Sequence, residues 1–378
     1  MNPLKQLEQC RQSPWLDDLH RTLISSGELD NLIKVDGLKG LTSNPAIFEK
    51  AIGDTDDYKD TLQDLLSKGT SDDMAIYESI AIEDIKAAAD RFRSVYDAAG
   101  GHDGFVSLEV SPYLADDTDK TIVEARRLWK AVDRDNLMIK IPGTEPGTPA
   151  IEQALSEGIN VNVTLLFSVK AYEDVARAYI AGLTKFAAQG GDPSRVASVA
   201  SFFLSRIDGA VDKKVGALQG ADPKLVASVR NKVAIANAKQ AYQRSKAIFS
   251  GAEWEALAKR GARPQRLLWA STGTKDPALS DTYYVDTLIG TDTVNTMPPP
   301  TMKAFRDHGK AVSGTIEQDL EGAEATLAAL KTLGVSLDDI THELVIDGVK
   351  KFSESFDKLM GGVAKRRTEL SGSRPQAA

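Results

Sequence analysis

The sequence has one cysteine, Cys10, among 378 residues, so no intramolecular disulfide framework is available and a reducing compartment suits the chain. It is short of basic residues as well. Lys and Arg number 46 against 54 Asp and Glu, a formal net charge of −8, which argues against binding built on broad attraction to a phosphate backbone, and nucleic acid is not expected as a partner. No apolar run is long enough to span a bilayer, and the N-terminal stretch MNPLKQLEQCRQSPW lacks the apolar segment of a signal peptide. A cytoplasmic location without a membrane partner is the expectation. The four histidines, His20, His102, His308 and His342, form no close ligand pair, so a metal site is not expected. No Gly-Lys-Ser/Thr loop or dinucleotide fingerprint follows a strand, and Ile141-Pro-Gly-Thr-Glu-Pro-Gly-Thr148 reads as a turn before a helix, so no cofactor is expected.

With 42% hydrophobic and 26% charged residues, the composition is that of an ordinary globular protein with enough apolar material for a large core. Short β-branched segments alternate with longer stretches of helical spacing. The strand candidates are Pro14 to Leu19, Gly40 to Ser43, Phe105 to Val110, Leu137 to Ile141, Val161 to Phe167, Val196 to Leu204, Arg266 to Ser271 and Thr293 to Met297. Amphipathic stretches such as Asp119 to Val132, Ala150 to Leu155, Lys170 to Ala188 and Pro223 to Phe249 return the chain to the same end of a parallel sheet. An open doubly wound sheet would carry a glycine-rich loop after its first strand, and Trp15 to Arg21 contains no glycine. The expected class is therefore α/β, a (β/α)8 TIM barrel with extra helices. Residues 1–370 are read as one domain and 371–378 as a flexible tail. The surplus over the typical barrel of about 250 residues is assigned to Lys50 to Arg93 and to the C-terminal stretch. There Val345, Val349, Phe352, Phe356 and Leu359 make a helical stripe expected to pack on the barrel wall.

One polar residue interrupts the fourth strand. In Leu137-Met-Ile-Lys-Ile141 the residues Leu137, Ile139 and Ile141 share one face, while Met138 and Lys140 share the other. Three large aliphatics suit the helix side, so Lys140 points into the barrel. A buried ammonium without a partner tends to lose its proton, and a neutral amine is the nucleophile that carbonyl substrates need. By the same alternation Glu109 faces inward on the third strand, and Asn162 and Thr164 on the fifth. Each alone reads as a satisfied interior hydrogen-bonding group. Together, on successive strands, they read as a site of the kind that barrels build at their C-terminal ends. The first strand ends at a carboxyl pair, Asp17 and Asp18, between which periodicity does not choose; one suits proton transfer and one suits capping the next helix.

Five ordered motifs together resemble the transaldolase family, in its longer (type 2) subgroup. They are Gly40-Leu-Thr-Ser-Asn-Pro-Ala-Ile-Phe48, Ser107-Leu-Glu-Val110, Leu137-Met-Ile-Lys-Ile-Pro142, Asn160-Val-Asn-Val-Thr-Leu-Leu-Phe-Ser168 and Ala200-Ser-Phe-Phe-Leu-Ser-Arg206. The resemblance implies a barrel enzyme of class I aldolase chemistry with Lys140 as the Schiff-base lysine and Asp17 as the acid/base. It implies Glu109 and Thr164 as proton carriers through a water, Asn44, Asn162, Ser201 and Phe203 as substrate-binding residues, and Arg206 as the phosphate ligand. Shorter members carry Ala-Ser-Phe-Arg at the seventh strand end, whereas this chain reads Trp269-Ala-Ser-Thr-Gly-Thr-Lys275. Ser271 still matches, and Lys275 is expected to supply the second charge as a point rather than a fork. The implied reaction moves a dihydroxyacetone unit between sugar phosphates in the non-oxidative pentose phosphate pathway. A fructose 6-phosphate aldolase and a non-catalytic sugar-phosphate-binding barrel are the alternatives. Oligomeric state is not fixed by the sequence, and a homodimer is compatible with it.

Overall fold

Eight short apolar segments pair in parallel and in chain order, and the last returns to the first, closing a barrel β1-β2-β3-β4-β5-β6-β7-β8. The structure is a computed structural model and describes residues 2–372. The strands are β1 Gln12–Asp17, β2 Gly40–Thr42, β3 Phe105–Glu109, β4 Leu137–Pro142, β5 Val161–Leu166, β6 Ser198–Phe203, β7 Arg266–Ala270 and β8 Thr293–Met297. All eight expected strands are present. The first begins two residues earlier than Pro14 and stops at Asp17, so that Asp17 is the last residue of β1.

Parallel strands wrapped on both sides are buried on both faces, and β4, β5, β6, β7 and β8 are buried throughout their lengths. The N-terminal half of the barrel interior is filled by side chains from strands that are not neighbours. Trp15 on β1 donates its indole N–H to Asp103 Oδ1 at 2.9 Å, and Arg266 on β7 reaches the same carboxylate at 3.3 Å. Gly40 on β2 is there because Trp15 leaves no room: a Cβ would come within 2.4 Å of the indole ring. His102 lies here, its pKa drawn down to about 4 by burial and by the charge of Arg266.

The helices differ from expectation in three places. Within the region assigned to additions, α1 Pro45–Asp54 and α2 Lys59–Ser67 are extra, but α3 Asp73–Ala98 packs on β3 as an ordinary crossover helix. The crossovers α4 Thr118–Val132, α5 Gly147–Ser156 and α6 Val169–Ala188 follow, and α7 Ser205–Gly216 starts directly after β6. The single helix expected over Pro223 to Phe249 is two, Pro223–Val229 and α8 Val233–Ile248. Asn231 sits between them at φ 58, a left-handed conformation that no α-helix continues through, and its side chain bonds Asp276 at 2.7 Å.

The largest correction concerns the C-terminal helix, α9 Leu337–Gly372. It does not lie along the barrel wall. It contacts α1, α2 and α3 on one side and α7 on the other, and it touches β5, so it crosses the mouth where the strands end. The stripe read from sequence is real in its second half, with Phe352, Phe356 and Leu359 buried, while Val345 and Val349 are half-buried. Burying each such side chain contributes roughly 1.5–3 kcal/mol, but the surface covered is the rim of the site. Gly348 permits the close approach, since a Cβ there would come within 2.9 Å of Leu165. Of the expected tail, residues 373–378 lie outside the described residues.

The plug at the barrel's N-terminal end makes a stability prediction. Asp103→Ala leaves the Arg266 guanidinium buried without its carboxylate, a loss of about 3–5 kcal/mol. Urea unfolding should show a lower midpoint with an unchanged slope; an unaltered midpoint would contradict this account.

Candidate active site

Adjacent strands put the lysine and the carboxylate side by side, with Glu109 on β3 and Lys140 on β4 as direct Cα partners. Lys140 Nζ lies 3.2 Å from Glu109 Oε2, and the two side chains are 6% and 5% exposed. Nζ also donates to the Ser43 carbonyl at 3.1 Å. The Lys–Glu contact has ion-pair distance without hydrogen-bond alignment, and both Glu109 oxygens lack a hydrogen-bond donor among the described residues. Burial raises the pKa of Glu109, with the charge of Lys140 opposing the shift. Thr164 Oγ1 on β5 is likewise buried and unpaired. A buried polar group without a partner costs about 1–3 kcal/mol, so these atoms mark where a ligand hydroxyl or a water is to be bonded.

Lys140 and Thr164 open into a cavity at the C-terminal mouth. Asp17, Asn44, Ser201 and Phe203 line it too. So do Arg206, Ser271 and Lys275. Glu109 and Asn162 are not on its wall. Glu109 borders a neighbouring apolar cavity with Ser43 and Asn44. Asn162 lies beneath the cavity, its NH₂ donating to Ser107 Oγ at 3.0 Å and its carbonyl accepting from Ser201 Oγ at 2.7 Å. It therefore holds Ser201, whereas Ser201 itself faces the opening.

The structure chooses between the two aspartates. Asp17 faces the cavity and accepts from Thr42 Oγ1 at 2.7 Å, while Asp18 turns to His20 at 3.9 Å and has its pKa raised by burial. Neither caps the following helix, contrary to expectation. His20 does, through Nδ1 accepting from the Leu23 amide at 3.1 Å, because the helix begins at Arg21 and Asp18 stands two residues before the capping position. Asn44 is the N-cap of α1, its Oδ1 accepting from the Ile47 amide at 3.1 Å, which leaves its NH₂ as the uncommitted group.

The far wall is cationic. Arg206 stands in the first turn of α7, its guanidinium 5.1 Å from the Phe203 ring centre, and Nη1 is buried without a partner among the described residues. Burial lowers the pKa of Arg206, with Asp347, Asp17 and Glu109 opposing the shift. A helix N-terminus carrying an underused guanidinium is a favourable place for an anion. Ser271, at φ 56, shares a 2.8 Å hydroxyl contact with Ser205 at the start of the same helix. Lys275 is exposed at the rim and forms no ion pair among the described residues.

Four groups at the site were not picked out from the sequence. Thr42 and Thr296 form a hydroxyl pair at 2.9 Å beside Asp17. Alternation along β2 and β8 carries the signal, but these strands are three and five residues long. The Ser43 carbonyl leaves no mark in any residue pattern. Phe352 reaches the cavity from α9 and was legible only as one member of a stripe.

A closed parallel barrel whose C-terminal mouth holds a buried amine, a paired carboxylate and a cationic wall defines the class: a (β/α)8-barrel enzyme equipped for carbonyl chemistry on anionic substrates. The family described as Transaldolase/Fructose-6-phosphate aldolase matches residues 14–363. Among similar proteins, Transaldolase 2 of Nostoc sp. (strain PCC 7120) is 49% identical over 380 residues, covering 98% of this chain and 99% of that protein. The transaldolase of Thermobifida fusca is 48% identical over 365 residues, covering 97% and 98%. That of Trichodesmium erythraeum is 46% identical over 377 residues, covering 98% and 99%. The chain belongs to the transaldolase family, and its enzymatic class is transaldolase.

The cationic wall yields a binding prediction. Arg206→Ala should weaken inorganic phosphate as a ligand roughly 10–100-fold, the range for a lost charge-assisted hydrogen bond, and Lys275→Ala several-fold less. Isothermal titration calorimetry measures both; equal affinities across the three proteins would remove phosphate from this wall.

Proposed function

We propose that the enzyme transfers a dihydroxyacetone unit reversibly from sedoheptulose 7-phosphate or fructose 6-phosphate to glyceraldehyde 3-phosphate or erythrose 4-phosphate, through a Schiff base on Lys140. The observation that carries this reading is Lys140, paired with buried Glu109, opening into a cavity with Arg206 and Lys275 on its wall. The reaction is a carbon exchange of the non-oxidative pentose phosphate pathway. A cytoplasmic location, which the single cysteine suits, belongs to the same proposal, as does a homodimer as the assembly to be measured.

In the proposed sequence the neutral amine of Lys140 attacks the C2 ketone of the donor, and the resulting carbinolamine loses water to become an iminium ion. Glu109, whose proton affinity is raised by burial, and Thr164 carry the protons of these steps through a water. Asp17 takes the proton of the C4 hydroxyl. The C3–C4 bond breaks toward the iminium, giving an enamine on Lys140 and releasing the aldose phosphate. An acceptor aldehyde then bonds to the enamine carbon, Asp17 returns its proton to the new hydroxyl, and water releases the ketose. Asn44 and Ser201, with Asn162 behind Ser201, hold the hydroxyls of the three-carbon unit. Phe203, Arg206, Ser271 and Lys275 receive the phosphate end.

Borohydride in the presence of fructose 6-phosphate should fix a three-carbon adduct on Lys140, detectable by peptide mass spectrometry, and Lys140→Ala should lose both adduct and transfer. An unmodified Lys140 would overturn the mechanism. Omitting the acceptor separates transfer from simple aldol cleavage, since an aldolase releases dihydroxyacetone at full rate without it.

Glu109→Gln should lower kcat by about 10²–10⁴, the usual contribution of a positioned acid–base group. Because burial raises the pKa of Glu109 and the group must be ionised to accept a proton, activity should fall as pH drops through a value above the ordinary carboxylate range. The Gln variant should lack that acidic limb. A limb of unchanged position in the variant would assign it to another group.

A further inference from the structure

One side chain of the cavity comes from the C-terminal helix and has no part in the steps above. The Phe352 ring centre lies 5.7 Å from Lys140 Nζ. The residue lines the catalytic cavity yet is only 9% exposed. Its position is fixed from both sides along α9. One turn earlier Gly348 sits against Leu165, which is held at φ 60 where β5 breaks register with β6. One turn later Phe356 packs edge-on against Tyr77 at 5.7 Å and Tyr113 at 6.0 Å. A phenyl ring moves no proton, so acid–base work does not account for an aromatic face beside the amine.

We infer that Phe352 sets the partition between transfer and release, its ring keeping solvent water from the intermediates on Lys140 until the acceptor aldehyde arrives. This rests on Lys140 being the Schiff-base lysine. The competing route is protonation of the enamine carbon, then attack of one water on the iminium carbon and collapse of the carbinolamine, so that enamine plus water gives free dihydroxyacetone and the Lys140 amine. That route needs water on the helix side as well as on the strand side. On the strand side Glu109 and Thr164 handle the one water that imine formation and product hydrolysis require. On the helix side the ring offers an apolar surface to the enamine and a quadrupole to the cationic iminium, so it favours both intermediates without supplying a proton to either.

The test uses the full chain with Phe352→Leu and Phe352→Ala. With fructose 6-phosphate as donor, dihydroxyacetone release without acceptor and transfer to erythrose 4-phosphate are measured in parallel, and the borohydride adduct on Lys140 is quantified in each protein. The ratio of release to transfer should rise several-fold in the Ala variant, which opens the helix side to water, and less in the bulkier Leu variant, with the adduct retained. A ratio unchanged in both variants, release and transfer falling together, overturns the partition role and leaves Phe352 a packing residue. If the Ala variant does not fold, the Leu variant decides by the same ratio. Absence of the adduct in the parent protein would overturn Lys140 as the Schiff-base lysine and the partition with it, whereas an adduct with an unchanged ratio overturns the partition alone.

Discussion

A lysine and a glutamate held 3.2 Å apart in the interior of a barrel constrain nearly everything else in this protein. Neither charge is tolerable there alone, since desolvation of a single ion costs several kcal/mol, and the pair persists only with good geometry and further polar partners. Cross-strand register supplies the geometry: Glu109 and Lys140 are direct partners on neighbouring strands, so no long flexible reach is needed. The Ser43 carbonyl supplies a further partner for the amine. What is left unsatisfied is the Thr164 hydroxyl, on the cavity wall, and the Glu109 oxygens, beside the amine.

The two ends of the barrel use charge in opposite ways. At the N-terminal end Asp103, Arg266, Ser13 and Trp15 bond one another across the interior in a closed network. At the C-terminal end the polar side chains are split between those committed to the scaffold and those left open. Asn162 is spent on Ser107 and Ser201, Asn44 caps α1, and Thr42 fixes Asp17. The groups that face the cavity are the amine, the Asp17 carboxylate, the unpaired Thr164 hydroxyl and the two cations. Such division is what preorganisation requires, because a side chain that both holds the site and reacts would move when it reacts.

The long C-terminal helix gives the site its fourth side. Barrel strands can only surround a reacting atom from below and around, and protection from above must come from a loop or an added element. Here it is α9, tied down by an aromatic cluster of Phe356, Tyr77, Tyr113 and Phe48 and brought close by Gly348. Its sequence stripe is amphipathic in the ordinary way, yet the surface it covers is the one where water matters most.

The sequence by itself determined the barrel and the inner faces of its strands, because alternation with period two is a local property that survives without knowledge of neighbours. That was enough to turn Lys140, Glu109, Asn162 and Thr164 inward, and ordered motifs identified the family. Alternation did not decide between Asp17 and Asp18, which only the family motifs separated, since the choice depends on the residue at which β1 stops pairing with β2. Nor did it tell that Pro223 to Phe249 is broken at Asn231, that Asp103 meets Arg266 across 163 positions of chain, or that Phe352 faces Lys140. A helical stripe reports that a face is buried, not what buries it. Those contacts join residues far apart in the chain and exist only once the barrel has closed, so tertiary structure alone decided them.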